Sequence, residues 1–250
     1  MQVKVLKTAQ ELGQAAAGQA AIILNQALEH QETARLVLST GQSQFETLAA
    51  LIQQPVDWSR VELFHLDEYV GLPVSHPASF RKYLLERFIS QVSLKTVNLV
   101  DGEGDAAANI RQLNAVIRQA PADLGLIGIG ENAHIAFNDP PADFMTEEPY
   151  IVVNLSDTCK NQQVREGWFP DPASVPAQAI SMSVRHILKC RAIISSVPHA
   201  VKADAVLLTL ASPVSEQVPA SILRTHPAAS LFLDQNSAAG LSADLLERFR

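Results

Sequence analysis

Short apolar runs alternate with amphipathic stretches along most of the chain. The runs have the length of β-strands and are rich in Val, Ile, Leu and Phe, and the stretches between them repeat apolar residues at helical spacing. Strands are predicted at residues 3–6, 35–39, 61–66, 97–100, 124–129, 151–155, 179–182, 192–197 and 230–233. Helices are predicted from about residue 8, from about 44 to 54, and at 77–90, 105–118 and 200–210.

This alternation predicts an α/β fold with a mostly parallel, doubly wound sheet flanked by helices. The run LGLIGI at 124–129 is almost continuously apolar, which is typical of a central parallel strand covered on both faces. No internal repeat or low-complexity linker interrupts the pattern, so a single domain over residues 1–250 is expected. The Pro- and Gly-rich segment 167–176 therefore predicts a loop or lid rather than a domain boundary.

Composition narrows the class of partner. The 250 residues carry a net charge of −7, which disfavours nucleic acid but allows a local basic pocket for an anion. Cys159 and Cys190 match neither metal-ligand spacing nor a disulfide framework, so both are expected to be small buried side chains in a reducing compartment. No apolar run approaches the roughly 18 residues of a membrane span. We therefore expect a cytoplasmic protein without a membrane partner.

Three segments with chemically useful side chains follow predicted strands. They are STGQS at 39–43, LDEYVG at 66–71 and GIGENAHIAFNDP at 128–140. Ligands of open parallel sheets bind at the carboxyl ends of the strands. We therefore expect these segments to meet around one site.

The first segment supplies hydroxyls and backbone N–H groups at the start of a helix, which is a typical anion site. It contains neither a GK[ST] nor a GxGxxG pattern, so neither ATP nor a dinucleotide cofactor is implied. An ordinary helix cap is the alternative. The candidate residues are Ser39, Thr40, Gly41, Gln42 and Ser43.

The second segment places two adjacent carboxylates, Asp67 and Glu68, just beyond a strand. Neighbouring residues of an extended segment face opposite ways, so one carboxylate can enter the crevice while the other meets a partner elsewhere. A carboxylate in a partly dry crevice can act as a general base. A capping aspartate in a loop is the alternative.

The third segment supplies a histidine. Gly128 and Gly130 allow the backbone to approach a ligand closely. His134 can exchange protons near neutral pH, and Asn132 and Asp139 flank it within reach of the ring. A structural histidine is the alternative, but the shared strand-end location favours a functional one.

Four basic residues are candidates for binding a phosphate. Lys202 follows the strand at 192–197 and Arg185 follows the strand at 179–182, which places them better than Arg165 and Arg224. Each of them alone is more often a solvated surface charge.

The strings LDEYVGLP…HPASF, GIGENAHIAFNDP and ILRTHPAASLFLD resemble the glucosamine-6-phosphate deaminase (isomerase) family, which is related to the 6-phosphogluconolactonases. The resemblance spans nearly the whole chain in the same order. It implies a modified Rossmann-like α/β fold and conversion of glucosamine 6-phosphate and water to fructose 6-phosphate and ammonia. It implies no cofactor and no metal, and a phosphosugar as the small-molecule partner; a homo-oligomer is compatible with it.

The resemblance also implies roles. His134 would open the sugar ring, and Asp67 would move a proton from C2 to C1. Asp139 stands where the family has a glutamate that forms a relay with the histidine and a preceding aspartate. The substrate-binding candidates are Ser39, Thr40, Gly41, Gln42, Ser43, Glu68, Gly130, Arg165, Arg185 and Lys202.

The chain departs from the family at the relay and at the phosphate site. Asn132 and Ala133 replace the Asp-Gly that precedes the family histidine, and an asparagine cannot stabilise an imidazolium as a carboxylate does. His199 aligns with a phosphate-binding lysine, for which Lys202 could substitute one helical turn later. Residues 157–170 align with a mobile lid that carries a phosphate-binding arginine; Arg165 is the candidate for it, with Arg185 as the alternative.

Two other functions stay open at this point. A 6-phosphogluconolactonase-like hydrolase shares the strand-end DE motif and the histidine loop, although the strings AFNDP and DEYVG favour the isomerase. A non-catalytic sugar-phosphate-binding relative is supported by Asn132, whereas the intact Asp67 and His134 argue against it.

Overall fold

The computed structural model describes residues 1–249 and contains a central sheet of seven parallel strands. The strand order is β1-β10-β9-β6-β2-β3-β5. These strands are β1 Gln2–Leu6, β2 Ala34–Leu38, β3 Val61–His65, β5 Thr96–Asn98, β6 Leu124–Leu126, β9 Ala192–Val197 and β10 Ala229–Asp234. The predicted α/β fold with a mostly parallel sheet is confirmed.

Eight α-helices accompany the strands within the described residues. They are α1 Ala9–His30, α2 Phe45–Leu51, α3 Phe80–Arg87, α4 Ala106–Ile117, α5 Asp157–Arg165, α6 Val184–Ile187, α7 Ala203–Ala211 and α8 Ala243–Glu247. The helix predicted from Pro77 begins later, because Ser79 is its N-cap and accepts a hydrogen bond from the Lys82 N–H. Helix α5, which lies in the predicted lid, was not predicted.

The chain reverses its direction across the sheet between β2 and β6. From β2 it proceeds to β3 and β5 on one side, and β6, β9 and β10 then fill the other side. Such a reversal leaves a crevice at the carboxyl ends of the two neighbouring strands. The loops that follow β2 and β6 are the predicted segments 39–43 and 128–140.

A second, antiparallel sheet contains β4 Asp67–Tyr69, β8 Gln178–Met182 and β7 Tyr150–Asn154, with β8 in the middle. Its two longer strands were expected to belong to the parallel sheet, so their placement is corrected. Burial along β7 alternates, which is typical of an antiparallel sheet with one solvated face. This sheet fixes Asp67 by pairing it with Ser181 of β8.

The core lies on both faces of the parallel sheet. Successive strand residues point to opposite faces, so Val37 joins one apolar cluster while Leu36 and Leu38 join the other. Helix α1 covers the second cluster with residues at helical spacing, among them Leu12 and Leu24. Burial on both faces explains why the strand runs are continuously apolar.

Both cysteines are buried and free, as predicted. Among the described residues, no helix has both the length and the hydropathy that crossing a membrane requires.

Candidate active site

A cavity of about 290 Å³ opens at the carboxyl edge of the parallel sheet. The loops after β2, β6 and β9 line it together with strand β4 and helix α5. It brings together most of the predicted site residues, namely Ser39, Thr40, Gly41, Gln42, Ser43, Asp67, Gly130, His134, Arg165 and Lys202. The expected convergence of the three segments is therefore observed in the structure.

The loop at 39–43 is held open toward the cavity. The Ser39 hydroxyl accepts a hydrogen bond from the Gly128 N–H (3.1 Å), and the Tyr83 hydroxyl donates to the Gly41 carbonyl (3.0 Å). Gly41 has φ +100°, a conformation that L side chains rarely adopt. Within the described part of the chain, the N–H groups of Gly41, Gln42 and Ser43 meet no backbone carbonyl, so they are free to bind an anion.

Asp67 is a buried carboxyl group at the cavity wall, 5% exposed. Burial raises the pKa of Asp67 well above its ordinary value, and the neighbouring charge of Glu68 raises it further. Desolvation thus makes this carboxylate a stronger base than an exposed one. A general base for carbon-bound protons needs this environment.

Glu68 points away from the cavity and holds helix α3. Its carboxylate accepts hydrogen bonds from the Ser79 hydroxyl (2.7 Å) and the Arg81 N–H (2.8 Å). The alternation expected for Asp67 and Glu68 is thus observed in the structure. Glu68 is not among the lining residues and is not proposed as a substrate ligand.

His134 is held by a network of amide and carboxylate groups. Its Nδ1 lies 2.6 Å from Asn132 Oδ1 and 3.1 Å from Asp139 Oδ1. The Asn132 amide nitrogen donates to Asp139 Oδ1 (3.0 Å), which fixes the amide with its oxygen toward the ring. This network assigns the proton to Nδ1, so the neutral ring carries its lone pair on Nε2.

Asn132 and Asp139 lie behind the ring and do not line the cavity. Burial raises the pKa of Asp139, but the hydrogen bond and charge of His134, with bonds from Ser156 and Asn132, lower it to about 2. Asp139 is therefore ionised at neutral pH and can stabilise a protonated imidazole. Asp139 therefore supplies the negative charge beside the imidazole that the neutral amide of Asn132 does not.

Gly130 makes room for the imidazole. A Cβ atom at this position would lie 2.2 Å from both Nε2 and Cε1 of His134. A side chain here would displace the ring, so Gly130 acts through His134 as well as through its place in the cavity wall.

Lys202 is a buried cation at the cavity wall, 6% exposed. Burial lowers the pKa of Lys202, and the carboxylates of Glu166 and Glu131 oppose that shift. Its ammonium forms no hydrogen bond or ion pair with any of residues 1–249. A desolvated charge without a partner is costly, so an anion in the cavity would be stabilised here. His199, the residue aligned with the family lysine, lines the same wall.

The predicted arginines occupy different places. Arg165 of α5 lines the cavity and forms an ion pair with Glu131. Arg185 of α6 lies outside the cavity and pairs with Glu147 (2.8 Å), and Arg224 donates to the Leu210 carbonyl (3.0 Å). Arg165 therefore stays a candidate phosphate ligand, and Arg185 does not.

Comparison with known proteins identifies the family. Residues 7–232 match the model of the glucosamine-6-phosphate isomerases/6-phosphogluconolactonase family. The chain belongs to this family. A glucosamine-6-phosphate deaminase of Leuconostoc citreum is 32% identical over 205 residues, 82% of this chain and 86% of that protein. One of Streptococcus pneumoniae serotype 4 is 34% identical over 200 residues, 80% of this chain and 84% of that protein.

Solved structures agree with this family. A monomeric glucosamine-6-phosphate deaminase superposes with a TM-score of 0.88 and is 29% identical, over 96% of this chain and 100% of that one. A 6-phosphogluconolactonase of Neisseria gonorrhoeae gives 0.73 at 18% identity, over 94% of this chain and 99% of that one, which shows the shared fold. The resemblance that the motifs predicted is confirmed.

Several cavity residues of this family member were missed by sequence reasoning. Gln162 and the C-cap residue Glu166 were not predicted, although they lie at helical spacing from each other and close to the predicted Arg165, and this spacing was the available signal. Glu131 adds a further carboxylate to the wall. The cavity therefore contains acidic groups beside its cations.

Replacing Asn132 by Asp is expected to lower turnover at neutral pH by about tenfold. The Asn132 amide nitrogen donates to Asp139 (3.0 Å), and a carboxylate there would lose this bond and repel Asp139. Steady-state kinetics between pH 5.5 and 8 measure the effect. A turnover at or above that of the wild type would show that the family's aspartate is superior in this chain too.

Proposed function

We propose that this enzyme converts glucosamine 6-phosphate and water to fructose 6-phosphate and ammonia, by an aldose–ketose isomerisation coupled to deamination. The observation that carries the proposal is the common cavity of the Asp67 carboxylate, the His134 imidazole and the Lys202 ammonium, which has no bonded partner among residues 1–249. A base, a group that moves protons between oxygens and an anion site are what this reaction needs. The deaminases of Leuconostoc citreum and Streptococcus pneumoniae support the same reaction.

The first step we propose is opening of the sugar ring by His134. The lone pair of Nε2 accepts the proton of the C1 hydroxyl, and the protonated ring returns a proton to the ring oxygen. The Nδ1 proton stays shared with Asn132 and Asp139, and the ionised Asp139 stabilises the intermediate imidazolium.

The second step is a proton transfer between two carbons by Asp67. Its carboxylate takes the C2 proton of the open-chain aldehyde while the C2 ammonium group gives a proton to the aldehyde oxygen, so that a neutral enolamine forms. The resulting acid then returns a proton to C1 and leaves a protonated 2-imine. The 2-imine that forms is hydrolysed by water, which releases ammonia and leaves the ketone of fructose 6-phosphate. The raised pKa of Asp67 matches both halves of this step, because the group must accept a proton and then give it back.

For the phosphate we propose three ligands: the Lys202 ammonium, the free N–H groups of the 39–43 loop and the Arg165 guanidinium. An ammonium and a guanidinium form charge-assisted hydrogen bonds with phosphate oxygens. Arg165 has to exchange Glu131 for the phosphate or bind both. Glu131 therefore holds the Arg165 guanidinium in place when no phosphate is bound.

Inorganic phosphate at millimolar concentration is expected to raise the Tm of the wild type, because it binds the folded state alone. Lys202→Met should abolish most of this shift and raise the KM for the phosphosugar about tenfold or more. Thermal unfolding with and without phosphate checks both. Arg185→Met is the matched control and should keep the phosphate shift, because Arg185 lies outside the cavity. Equal shifts in both variants would exclude Lys202 as a ligand.

The proposed reaction is tested by offering the enzyme two substrates in parallel. Glucosamine 6-phosphate should give ammonia and fructose 6-phosphate in equal amounts, and 6-phosphogluconolactone should be hydrolysed no faster than in buffer. Lactone hydrolysis without ammonia release would favour the 6-phosphogluconolactonase side of the family. Binding of the phosphosugar without turnover of either compound would favour a non-catalytic relative.

The free cysteines support a cytoplasmic location for the proposed enzyme, because free thiols persist in a reducing compartment. A free phosphosugar is the small-molecule partner that we propose, and a single domain over residues 1–250 is the proposed unit of activity.

A further inference from the structure

Helix α5 and its C-cap residue Glu166 are hydrogen-bonded to all three segments that line the cavity. From the Asp67 segment, the Tyr69 hydroxyl donates to Gln163 Oε1 (2.8 Å). From the histidine loop, the Glu131 N–H donates to Gln162 Oε1 (3.3 Å). From the 39–43 loop, the Gln42 amide donates to the Glu166 carbonyl (2.9 Å). The nine residues of α5 are largely polar. The position of this helix therefore depends on the segments it covers.

The N-terminus of α5 is bonded to the histidine relay. Ser156 is its N-cap, and the Ser156 hydroxyl accepts from the Cys159 N–H (3.1 Å). The same hydroxyl donates to Asp139 Oδ2 (2.6 Å), and the Ser156 N–H lies 3.4 Å from that oxygen. The other oxygen, Asp139 Oδ1, faces His134. One carboxylate oxygen of Asp139 thus faces the imidazole, and the other is hydrogen-bonded to the N-cap of α5.

We propose that Ser156 is a positioning residue that couples the seating of helix α5 to the state of the His134–Asp139 pair. The inference rests on the proposed function for its catalytic consequence. When α5 lies on the cavity, Ser156 orients Asp139 toward the imidazole. When α5 withdraws, Asp139 loses its donor at Oδ2 and is free to rotate.

The electrostatics of α5 agree with this coupling. A helix N-terminus carries partial positive charge and stabilises a nearby anion, and the hydrogen bond from Ser156 contributes to the lowered pKa of Asp139. The groups that face Asp139 are His134 and Asn132 of its own loop, and Ser156 and the Cys159 thiol of α5. Burial raises the pKa of Cys159, so the thiol stays neutral.

The coupling also links catalysis to substrate binding. Arg165 lies at the other end of α5 and lines the cavity. A phosphosugar that engages Arg165 would hold the helix in place and, through Ser156, keep Asp139 oriented. A bound substrate would thereby prepare the relay that opens its own ring.

The test compares Ser156→Ala with Ser156→Thr and with Ser242→Ala as a matched control. Ser242 is the N-cap of α8 and accepts from the Leu245 N–H, so its replacement removes a cap without touching Asp139. Loss of a hydrogen bond to a charged group should lower the kcat of Ser156→Ala about tenfold and leave KM within about twofold. Ser156→Thr should recover most of kcat, and Ser242→Ala should keep it.

A second measurement does not need turnover. Removing the hydroxyl leaves more charge on Asp139 for the imidazole, so the His134 ring should titrate at higher pH in Ser156→Ala. Histidine ¹⁵N NMR gives the midpoint of this titration in the wild type and in Ser156→Ala, and the His134 signal is assigned by its loss in His134→Gln. The midpoints of Ser156→Thr and Ser242→Ala should equal that of the wild type.

The outcomes separate the two proposals. An unchanged midpoint, or an equal fall of kcat in Ser156→Ala and Ser156→Thr, would overturn the role of Ser156. A wild-type enzyme that releases no ammonia, with the midpoint shifted in Ser156→Ala, would overturn the proposed function and leave the coupling in place.

Discussion

Replacing Asp67 by Asn should lower kcat by about 10³-fold, because an amide of the same shape cannot accept the C2 proton. The substitution should also stabilise the fold at neutral pH. The pKa of Asp67 is raised by burial, so the folded state binds a proton more tightly than the unfolded state, and wild-type stability falls as pH rises through the folded pKa. The Asn variant should lack this fall. Activity assays and thermal unfolding between pH 4 and 8 measure both effects.

Glu68→Gln is the matched control for Asp67, since it neutralises the adjacent carboxylate. Glu68 holds Ser79 and Arg81 outside the cavity, so its replacement should lower Tm and change kcat less than about tenfold. A near-normal kcat in Asp67→Asn, or a larger loss of kcat in Glu68→Gln than in Asp67→Asn, would show that Asp67 is not the general base.

Replacing His134 by Gln should lower kcat by about 10²-fold or more, because glutamine can form hydrogen bonds at the cavity but cannot exchange a proton between the C1 hydroxyl and the ring oxygen. Asn132 and Asp139 lie on the far side of the ring, so folding should be preserved. The measurements are kcat as a function of pH and the far-UV circular dichroism of the variant.

The same variant should lose the pH dependence that the wild type owes to the His134–Asp139 pair. If the dependence of kcat on pH in this variant had the same shape as in the wild type, the relay would be contradicted even if kcat fell, because the variant contains no titratable group at position 134. A near-normal rate would contradict the assignment outright.

The fold could be predicted from the sequence because its signals are local. Strand β9 occupies the predicted residues 192–197, since a buried parallel strand is apolar on both faces. Strand β4 was missed because its residues are Asp-Glu-Tyr, and it becomes a strand only by pairing with β8. Helix α5 was missed because it has few apolar residues and is held by its cap and its tertiary hydrogen bonds.

The site could be predicted in part. The opposite directions of Asp67 and Glu68 follow from the period of two of an extended segment, and the strand-end rule placed His134 in the same crevice. The choice between Arg165 and Arg185 depends on where α5 and α6 lie relative to the cavity, which sequence spacing does not reveal. The burial of the Lys202 ammonium without a bonded partner among residues 1–249 also arises only when the surrounding segments fold together.

The position of Asp139 in the fold changes the role that is inferred for Asn132. Sequence comparison alone suggests a weakened relay, because an amide stands where the family has a carboxylate. In the fold, Asn132 orients the imidazole and also donates to Asp139, which stays ionised. The relay thus keeps one carboxylate, that of Asp139, and the asparagine is hydrogen-bonded to both of its partners.

The proposed reaction requires that the Asp67 carboxylate and the His134 imidazole converge on the first two carbons of a phosphosugar. A crystal structure with an open-chain alditol analogue, 2-amino-2-deoxyglucitol 6-phosphate, tests it most directly. We predict the phosphate at Lys202, an Asp67 oxygen within about 3.5 Å of C1 and C2, and His134 Nε2 within about 3.2 Å of the C5 hydroxyl. A sugar bound with C1 and C2 out of reach of Asp67, or a phosphate bound away from Lys202, would contradict this arrangement of the site.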